Sequence, residues 1–409
     1  MKRVVVTGMG GLCSLGSDWK TVRDALLAGR NGTKVMPGWE HMAGLKTCLG
    51  APVPDFELPE SWPRKKARSM GRDSAMAVRA TEIALEGAGL LGSPELSDGT
   101  TGVSYGSTAG SPGALDTWAE SFYQKNSLSG IGANQYVRFM SHTCAANLAQ
   151  FFQLRGRVIP TCSACTSGSQ GIGYGYEAIK YGHHDIMVAG GAEELGLMDV
   201  AVFDILFAAS TRNDQPDQTP RPFDVARDGL VCSEGAATFI LEEREHALAR
   251  GATIHAEVLG FATNCDGRHI TNPDAGGMEK VMRLGLESAA LAPEAIGYVN
   301  AHGTATEVGD IAESQATAEV FGKGVPVSSL KGFLGHALGA CGSLEAWLSI
   351  EMMRDGWFAP NRGLEEVDPR CAELDYIRDE PRKLETQILM SNNFAFGGIN
   401  TSLIFGRDV

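Results

Sequence analysis

Short apolar runs alternate with helical patterns along the chain, and this alternation limits the fold more than any other feature of the sequence. Residues 2–8 and 100–108 have the pattern of short buried strands, and residues 74–90 carry apolar side chains at helical spacing. Residues 156–190 then predict a strand, a turn, a helix and a second strand. Buried strands that alternate with helices predict an α/β protein.

The alternation starts again near residue 251, which indicates two similar halves. Residues 253–263 predict a strand, and helices and short strands alternate from there to a final strand, loop and strand at 387–405. No low-complexity linker separates the halves. We therefore expect two units, residues 1–250 and 251–409, that pack as one body.

The charge balance excludes some classes of partner. The chain has 35 Lys and Arg residues against 49 Asp and Glu residues, which gives a formal net charge of −14. General nucleic-acid binders and proteins of anionic membrane surfaces normally have a basic face, so we expect neither partner. No apolar run approaches the roughly 18–20 residues of a membrane span, so we expect no membrane insertion. The nine cysteines are scattered and odd in number, which favours reduced thiols in the cytoplasm.

Cys165 is the cysteine whose surroundings carry the most information. It lies in TCSACTSGSQGIG, between an apolar run and a segment of small residues that leads into a helix. The positive end of that helix would favour the thiolate form of the side chain. A buried structural cysteine fits the same position. Cys162 and Cys165 also have C-x-x-C spacing, but no second pair completes a zinc site, so zinc or thioredoxin-like chemistry is not expected.

Two histidines follow apolar strands in glycine-rich loops. His302 lies in VNAHGTATEVGD, and His336 lies in SSLKGFLGHALGACG. The C-terminal end of a strand in an α/β fold faces the crevice where ligands usually bind. One histidine in this setting is more often structural, whereas two favour a functional role. The other seven histidines lack this setting.

A cysteine combined with two histidines limits the reaction classes. A cysteine hydrolase needs one histidine as base and an Asn or Asp that orients it. Two histidines suit a different task, which is to stabilise an oxyanion or enolate while a carbon–carbon bond forms.

Seven segments, in a fixed order and spacing, carry a family resemblance. They are VVVTGMG, SACTSGSQ, AGGAEE, RPFDVARDGLVCSEGA, NAHGTATEVGD, KGFLGHALGACG and SNNFAFGGIN. With them the chain resembles the β-ketoacyl-[acyl carrier protein] synthases of type I/II over essentially its whole length. The resemblance implies the thiolase fold, a five-layered αβαβα arrangement of two duplicated halves that is usually dimeric. It also implies decarboxylative Claisen condensation of malonyl-acyl carrier protein with a cysteine-bound acyl group.

The resemblance implies a role for each matching residue. Cys165 would hold the acyl group as a thioester, and His302 and His336 would stabilise the enolate formed on decarboxylation. The remaining assignments are Lys331 and Glu345 as a buried ion pair, Thr304 and Thr306 as pantetheine contacts, the backbone N–H groups of Cys165 and Phe396 as the oxyanion hole, and Phe394, Phe396, Gly397 and Gly398 as substrate-binding residues with Phe396 as the gate. Neither a metal nor a cofactor is expected, because the substrates arrive on the phosphopantetheine of acyl carrier protein.

One basic segment stands out in the acidic chain. Residues 63–72 read PRKKARSMGR and include Arg64, Lys65, Lys66 and Arg68. Most charge runs are only solvated faces. The carrier protein of the family is strongly acidic and docks on basic residues at this position, so the resemblance implies carrier docking on these four side chains.

The chain departs from the family pattern near the site. Glu307 replaces the usual Pro, Cys341 replaces Ala, and Asn393, Ala395 and Ile399 replace Ser, Gly and Thr. None of these removes a catalytic group, but Ala395 should stiffen the gate relative to Gly. The departures put the acyl specificity in doubt and favour an accessory or pathway-dedicated synthase over a housekeeping one. The stretch GRVIPTCSACTSGSQGIGYGYEAIKYG also resembles synthases of aryl polyene clusters.

Three other functions share parts of this pattern. A chain-length factor, which is a non-catalytic partner subunit of such synthases, would lack the nucleophile that Cys165 supplies. A degradative thiolase would carry a second active-site cysteine in a C-terminal C-x-G motif, where this chain reads FGGIN. The paired histidines disfavour a cysteine hydrolase. We expect a catalytic subunit that forms a homodimer or a heterodimer with a chain-length factor.

Overall fold

A computed structural model describes residues 1–407, and within them helices and strands alternate as predicted. The α-helices are α1 (Trp19–Leu27), α2 (Arg64–Ala67), α3 (Arg72–Gly87), α4 (Pro112–Ala119), α5 (Ala133–Arg138), α6 (Thr143–Phe152), α7 (Ser167–Lys180), α8 (Leu197–Ile205), α9 (Arg244–Ala249), α10 (Ala275–Ala289), α11 (Glu307–Phe321), α12 (Lys331–Leu334) and α13 (Cys341–Asp355). A π-helical turn spans Glu120–Gln124, and 3-10 turns span Trp39–His41, Pro94–Leu96, Pro216–Gln218, Pro293–Ala295 and Leu338–Ala340.

Of the fifteen strands within residues 1–407, eleven form the two halves of one mixed sheet and the other four pair in two separate two-stranded sheets. The strands are β1 (Val4–Leu12), β2 (Lys34–Val35), β3 (Leu49–Gly50), β4 (Thr101–Gly106), β5 (Val158–Thr161), β6 (Ile186–Glu193), β7 (Gly235–Glu243), β8 (Ala256–Cys265), β9 (Tyr298–Asn300), β10 (Pro326–Ser328), β11 (Trp357–Phe358), β12 (Asp375–Tyr376), β13 (Arg382–Lys383), β14 (Ile388–Ala395) and β15 (Ile399–Gly406). The order is β5-β4-β6-β7-β1 in the first half and β8-β15-β14-β9-β10-β12 in the second.

Strand β1 joins the two halves. It pairs antiparallel with β7 along its length and with β8 through Val5–Glu257 and Val6–Ala256, so the sheet continues from one half into the other. Within the halves, β4 is parallel to β5 and β6, and β9 is parallel to β10 and β14. The predicted α/β class is therefore confirmed.

The helices complete five layers. Helices α3 and α6 cover the outer face of the first half, and α10 and α11 cover the outer face of the second. Helices α7 and α13 pack on each other between the halves, where they contact β6 and β7 on one side and β14 and β15 on the other. The predicted αβαβα order is confirmed. The largest apolar cluster lies in this central layer and includes Phe239, Trp347 and Phe405, which come from both halves.

The boundaries of several elements differ from the predicted ones. The strand predicted at 253–263 is β8, which is shifted to Ala256–Cys265 because its register with β15 sets its length. Residues 107–157 contain three helices without a strong periodic pattern in the sequence. None of the helices within the described residues is both long enough and apolar enough to cross a membrane.

Candidate active site

Cys165 sits on a sharp turn between a strand and a helix. Strand β5 ends at Thr161, and helix α7 begins two residues after Cys165. The turn forces Ala164 into a left-handed conformation with φ of 49°. It is held by the Ser163 backbone N–H, which donates to the Ser167 hydroxyl at 2.9 Å. This turn directs the thiol into a cavity of about 310 Å³ that His302 and His336 also line.

The Cys165 thiol is neutral in this structure, although the sequence favoured a thiolate at the helix end. Its Sγ lies 3.2 Å from Nε2 of His336. Burial raises the pKa of Cys165 to about 12, and the positive charge of Lys331 offsets this only in part. The loss of hydration therefore outweighs the favourable end of the helix at this position.

His336 is held by its backbone, and its ring is not fixed on both sides. Its N–H donates to the Val231 carbonyl at 2.7 Å, and its own carbonyl accepts from the Ser233 N–H at 2.9 Å. The buried Nδ1 has no hydrogen-bond partner among residues 1–407. Burial, followed by the charge of Lys331, holds the pKa of His336 well below its usual value. The imidazole is therefore neutral and free to carry its proton on either nitrogen.

His302 is held at its backbone N–H, at its carbonyl and at Nδ1 of its ring. Its N–H and that of Gly303 both donate to the carboxyl group of Glu313, at 2.7 and 2.6 Å. Its Nδ1 faces Nζ of Lys331 at 3.2 Å and Nδ2 of Asn393 at 3.4 Å. Burial, then Lys331 and His336, keeps the pKa of His302 well below its usual value. Because both neighbours of Nδ1 are donors, the single proton of the neutral ring belongs on Nε2.

Lys331 and Glu345 form the ion pair that the resemblance implied. Both side chains are about 1% exposed. The ammonium group of Lys331 also donates to the His302 carbonyl at 2.6 Å, so its three protons point at three acceptors. Burial alone would lower the pKa of Lys331, but the charge of Glu345, the hydrogen bond that it accepts from Lys331 and the effects of Cys341 and Glu313 together outweigh burial, and the net pKa is raised. The pair thus keeps a positive charge beside His302.

The cavity contains most of the sequence-predicted substrate residues. Its walls include Cys165, His302, His336, Thr304, Thr306, Phe394, Phe396 and Gly398, whereas Gly397 lies beside it in the same turn. The Thr304 and Thr306 hydroxyls are 2.8 Å apart. Further walls that the sequence did not indicate are Phe203, Leu206, Met278 and the loop from His269 to Pro273. No signal in the sequence marked this loop, since His269 is among the seven histidines that lack the setting of His302 and His336.

The turn that contains Gly397 and Gly398 is hydrogen-bonded to that loop and to the end of β8. Gly397 N–H donates to the Ile270 carbonyl at 2.7 Å, and Asp266 N–H donates to the Gly398 carbonyl at 3.0 Å. A Cβ on Gly398 would lie 2.1 Å from the Asp266 carboxyl group, and its φ is 69°, so only glycine fits there. The ring of Phe396 packs 5.4 Å from that of Phe203. Two backbone hydrogen bonds therefore tie the turn at Gly397 and Gly398 to this loop and to the end of β8.

The departure at Glu307 has a structural explanation. Glu307 is the first residue of α11, where a carboxylate is favoured by the positive end of the helix. It also forms an ion pair with Arg370, whose guanidinium binds Asp368 at 2.7 Å.

Nothing in the structure explains the replacement of Thr by Ile399.

The basic segment lies away from the cavity. Arg64, Lys65 and Arg68 are exposed on and next to the short helix α2, and none of them lines the cavity. Lys66 differs, because its Nζ donates to the Phe151 carbonyl at 2.6 Å and lies over the ring of Phe151. Three of the four predicted docking side chains thus remain available at the surface.

Two sets of ligand atoms are close enough to hold a metal ion. Atoms of Cys165, His302 and His336 lie within 4.8 Å of one another, and so do atoms of His302, Cys341 and Glu345. The ammonium group of Lys331 next to Glu345 opposes a second cation in the latter set. The absence of a metal from the reaction stays a prediction.

Two family models match this chain. The model of the β-ketoacyl synthase N-terminal domain matches residues 1–247, and that of the β-ketoacyl synthase C-terminal domain matches residues 255–365.

Individual proteins are similar over their whole lengths. The 3-oxoacyl-[acyl-carrier-protein] synthase 2 of Vibrio cholerae is 38% identical over 416 residues, which are 99% of both chains. The crystal structure of a β-ketoacyl synthase from Burkholderia phymatum STM815 is 57% identical with a TM-score of 0.98, and 100% of each chain is covered. The structure of the ishigamide ketosynthase/chain length factor is 30% identical with a TM-score of 0.92, again over 100% of each chain.

Proposed function

This chain belongs to the β-ketoacyl synthase family, and from that premise we propose that it joins an acyl group held on Cys165 to a malonyl unit carried by acyl carrier protein, with loss of CO₂. It is an acyltransferase that forms carbon–carbon bonds. The observation that supports the proposal is the meeting of one thiol and two neutral histidines, Cys165, His302 and His336, in one cavity. Neither metal nor cofactor takes part in the proposed steps.

In the first step Cys165 attacks the acyl thioester of the carrier. Its S–H donates to Nε2 of His336, which takes the proton as the new sulfur–carbon bond forms. The carrier thiolate leaves as the old carbon–sulfur bond breaks, and His336 returns the proton to it. This use of Nε2 as an acceptor requires the proton on Nδ1, and the ring of His336 is free to adopt that form.

In the second step the malonyl carboxylate leaves as CO₂ and the electron pair moves onto the thioester oxygen. Nε2–H groups of His302 and His336 would donate to that enolate oxygen, and the two rings lie 5.1 Å apart at nearly a right angle. The enolate carbon then attacks the acyl carbonyl, the bond to Cys165 breaks to leave a thiolate that takes up a proton from solvent, and the β-ketoacyl product stays on the carrier. We assign the oxyanion hole for this attack to the backbone N–H groups of Cys165 and Phe396, and the pantetheine contacts to Thr304 and Thr306.

The test separates acylation from decarboxylation. Cys165→Ser should abolish transfer of an acyl group from a carrier thioester to the protein, measured by intact mass. His302→Ala should still be acylated but lose malonyl decarboxylation by about 10²–10³-fold, the usual cost of an oxyanion donor, whereas His336→Ala should be slowed in both steps because His336 also takes the thiol proton. Cys162→Ser, in the same turn but exposed, is the matched control and should behave as the wild type. Acylation that survives in Cys165→Ser would refute the nucleophile.

The proposed partner is an acidic acyl carrier protein that docks on Arg64, Lys65 and Arg68, with Lys66 engaged in part by Phe151. Lys65→Glu with Arg68→Glu should raise the apparent KM for the carrier several-fold at low salt and less at high salt. Lys20→Glu with Lys280→Glu makes the same charge change at other exposed sites and should leave KM unchanged. Equal KM values for the two double variants would count against docking here.

We also propose that the active form is a dimer of two copies or a heterodimer with a chain-length factor. The likeness to the ishigamide ketosynthase/chain length factor supports the second form as an alternative. Cys165 and both histidines make this chain the catalytic subunit in either case. A role in aryl polyene synthesis stays a prediction.

A further inference from the structure

We propose that Asn393, where the family pattern usually has Ser, is a positioning residue that holds His302 in the tautomer with its proton on Nε2. The inference rests on the proposed function, because the step that needs this proton is decarboxylation of the malonyl unit. Asn393 does not line the cavity, so it acts through other side chains.

Asn393 lies on β14 behind the two catalytic groups of the second half. Its side chain is fully buried. Its Nδ2 lies 2.8 Å from Oε2 of Glu345, 3.4 Å from Nδ1 of His302 and 3.7 Å from Sγ of Cys341. Since a carboxylate only accepts, the amide must direct its nitrogen, not its oxygen, toward Glu345. That orientation also brings its second proton toward the imidazole and the thiol.

Two effects follow for His302. The first is direct, because a second donor beside Nδ1 makes a proton on that nitrogen unfavourable. The second acts through Glu345, whose Oε2 is held by Asn393 while its Oε1 holds Lys331. Lys331 is in turn the closest donor to Nδ1 of His302. Asn393 thus fixes both the ring and the ion pair that supports it.

The position of the Asn393 amide leaves one of its two polar atoms without a hydrogen bond, which indicates that the contacts of the nitrogen outweigh this loss. The Oδ1 atom of Asn393 is buried and has no hydrogen-bond partner among the described residues. A buried polar atom without a partner destabilises a fold. Serine could supply one donor from a shorter side chain, but not two donors to Glu345 and His302 together.

Cys341, a second departure from the family pattern, contacts Asn393. Cys341 begins α13, and its S–H donates to the backbone carbonyl of Cys165 at 3.3 Å. A Cβ on the next residue, Gly342, would lie 2.5 Å from Oδ1 of Asn393, so the missing side chain makes room for the amide. Asn393 and Cys341 therefore occupy the space between the nucleophile turn and the ion pair.

The experiment compares two substitutions of Asn393 in the full chain. Asn393→Leu keeps the side-chain size but removes both donors, and Asn393→Ser restores the usual residue. Malonyl decarboxylation is measured with malonyl-carrier thioester, and acylation of Cys165 by intact mass. The tautomer of His302 is read from its ¹⁵N NMR shifts, with the signal assigned by its loss in His302→Gln.

Asn393→Leu should lower decarboxylation about tenfold, the value of one well-placed hydrogen bond, while acylation stays within about twofold. The ¹⁵N shifts of His302 should show a fraction protonated on Nδ1. The decarboxylation rate of Asn393→Ser should lie between the rates of Asn393→Leu and the wild type. If the leucine variant does not fold, the comparison is made with Asn393→Ser alone. The matched control is Asn392→Leu, since Asn392 is equally buried on the same strand and its amide has no partner among residues 1–407.

Three results would overturn the inference: an unchanged tautomer, an unchanged ratio of the two rates, or the same fall in that ratio in Asn392→Leu. The NMR measurement needs no substrate, so it judges Asn393 even if the wild type does not decarboxylate malonyl thioesters. A wild type that does not decarboxylate malonyl thioesters would refute the proposed function and leave the test of Asn393 by NMR intact.

Discussion

The two histidines of the site are both buried but have opposite surroundings. Nδ1 of His302 faces two donors, Lys331 and Asn393, at 3.2 and 3.4 Å. Nδ1 of His336 faces no hydrogen-bonding group in the described part of the chain, and its Nε2 lies 3.2 Å from the thiol. One ring is fixed in a single tautomer, and the other can exchange between two.

This difference matches the two tasks proposed for the rings. A ring that only stabilises an enolate should present one donor at all times. A ring that also relays the proton of Cys165 must accept first and donate later, so a fixed tautomer would prevent one of its roles. The comparison therefore predicts different consequences when each side of the site is disturbed.

Among the predicted changes, Lys331→Met, which removes the closest donor to His302, should have the largest effect on stability and on decarboxylation. Loss of the cation leaves Glu345 buried without its partner, which should cost about 3–5 kcal/mol of stability. The midpoint of unfolding in denaturant should fall, and decarboxylation should fall with it because Nδ1 of His302 loses its closest donor. Acylation of Cys165 should change much less, since it depends on His336.

The double variant Lys331→Met with Glu345→Met separates stability from positioning. Replacement of a buried ion pair by apolar side chains of similar size is often neutral or stabilising, so most of the stability should return. Decarboxylation should not return, because no cation faces His302. Full recovery of both would mean that the ion pair serves the fold alone.

A smaller effect is expected on the His336 side, in the pH dependence of alkylation. Burial disfavours the charged form of the Cys165 thiol, and its pKa of about 12 leaves little thiolate at neutral pH. The rate of reaction with iodoacetamide, followed on the Cys165 peptide by mass spectrometry, should therefore rise about tenfold per pH unit from pH 7 to 9. His336 stays neutral over this range and adds no step, because its pKa is well below the usual value.

A rate that is flat between pH 7 and 9 would contradict this picture. It would mean that the thiol and the imidazole already form an ion pair, as the helix end suggested from the sequence alone. The exposed Cys265 provides an internal reference in the same digest.

Cys165, His302 and His336 each had a local signal in the sequence, a position after an apolar strand in a turn or loop rich in small residues. Their meeting in one cavity followed only from the resemblance, because Cys165 comes after β5 at one end of the sheet and the histidines come after β9 and β10 near the other end, and the packing of α7 on α13 brings the halves together. The partners Lys331 and Glu345 came from the resemblance. The contact between Asn393 and Cys341 was not predictable, because the residues are 52 positions apart and meet only through the packing of α13 on β14.

The prediction of the fold was limited in the same way. Two α/β halves follow from periodicity, which is a local property. The helices between residues 107 and 157 are short, and their burial depends on neighbours distant in sequence. The pKa of Cys165 also depends on tertiary packing, since the burial that raises it comes from segments of both halves.

The central position of β1 has a consequence for how the protein is made. This strand precedes both of its partners in the sequence, and β7 and β8 are translated only at residues 235–265. Until then its backbone N–H and C=O groups stay unpaired in a nascent chain, next to an apolar run that would aggregate if left exposed. Helix α13, which completes the layer between the halves, comes later still. Pairing of β1, and with it the joining of the two halves, therefore waits until segments of both halves have been translated.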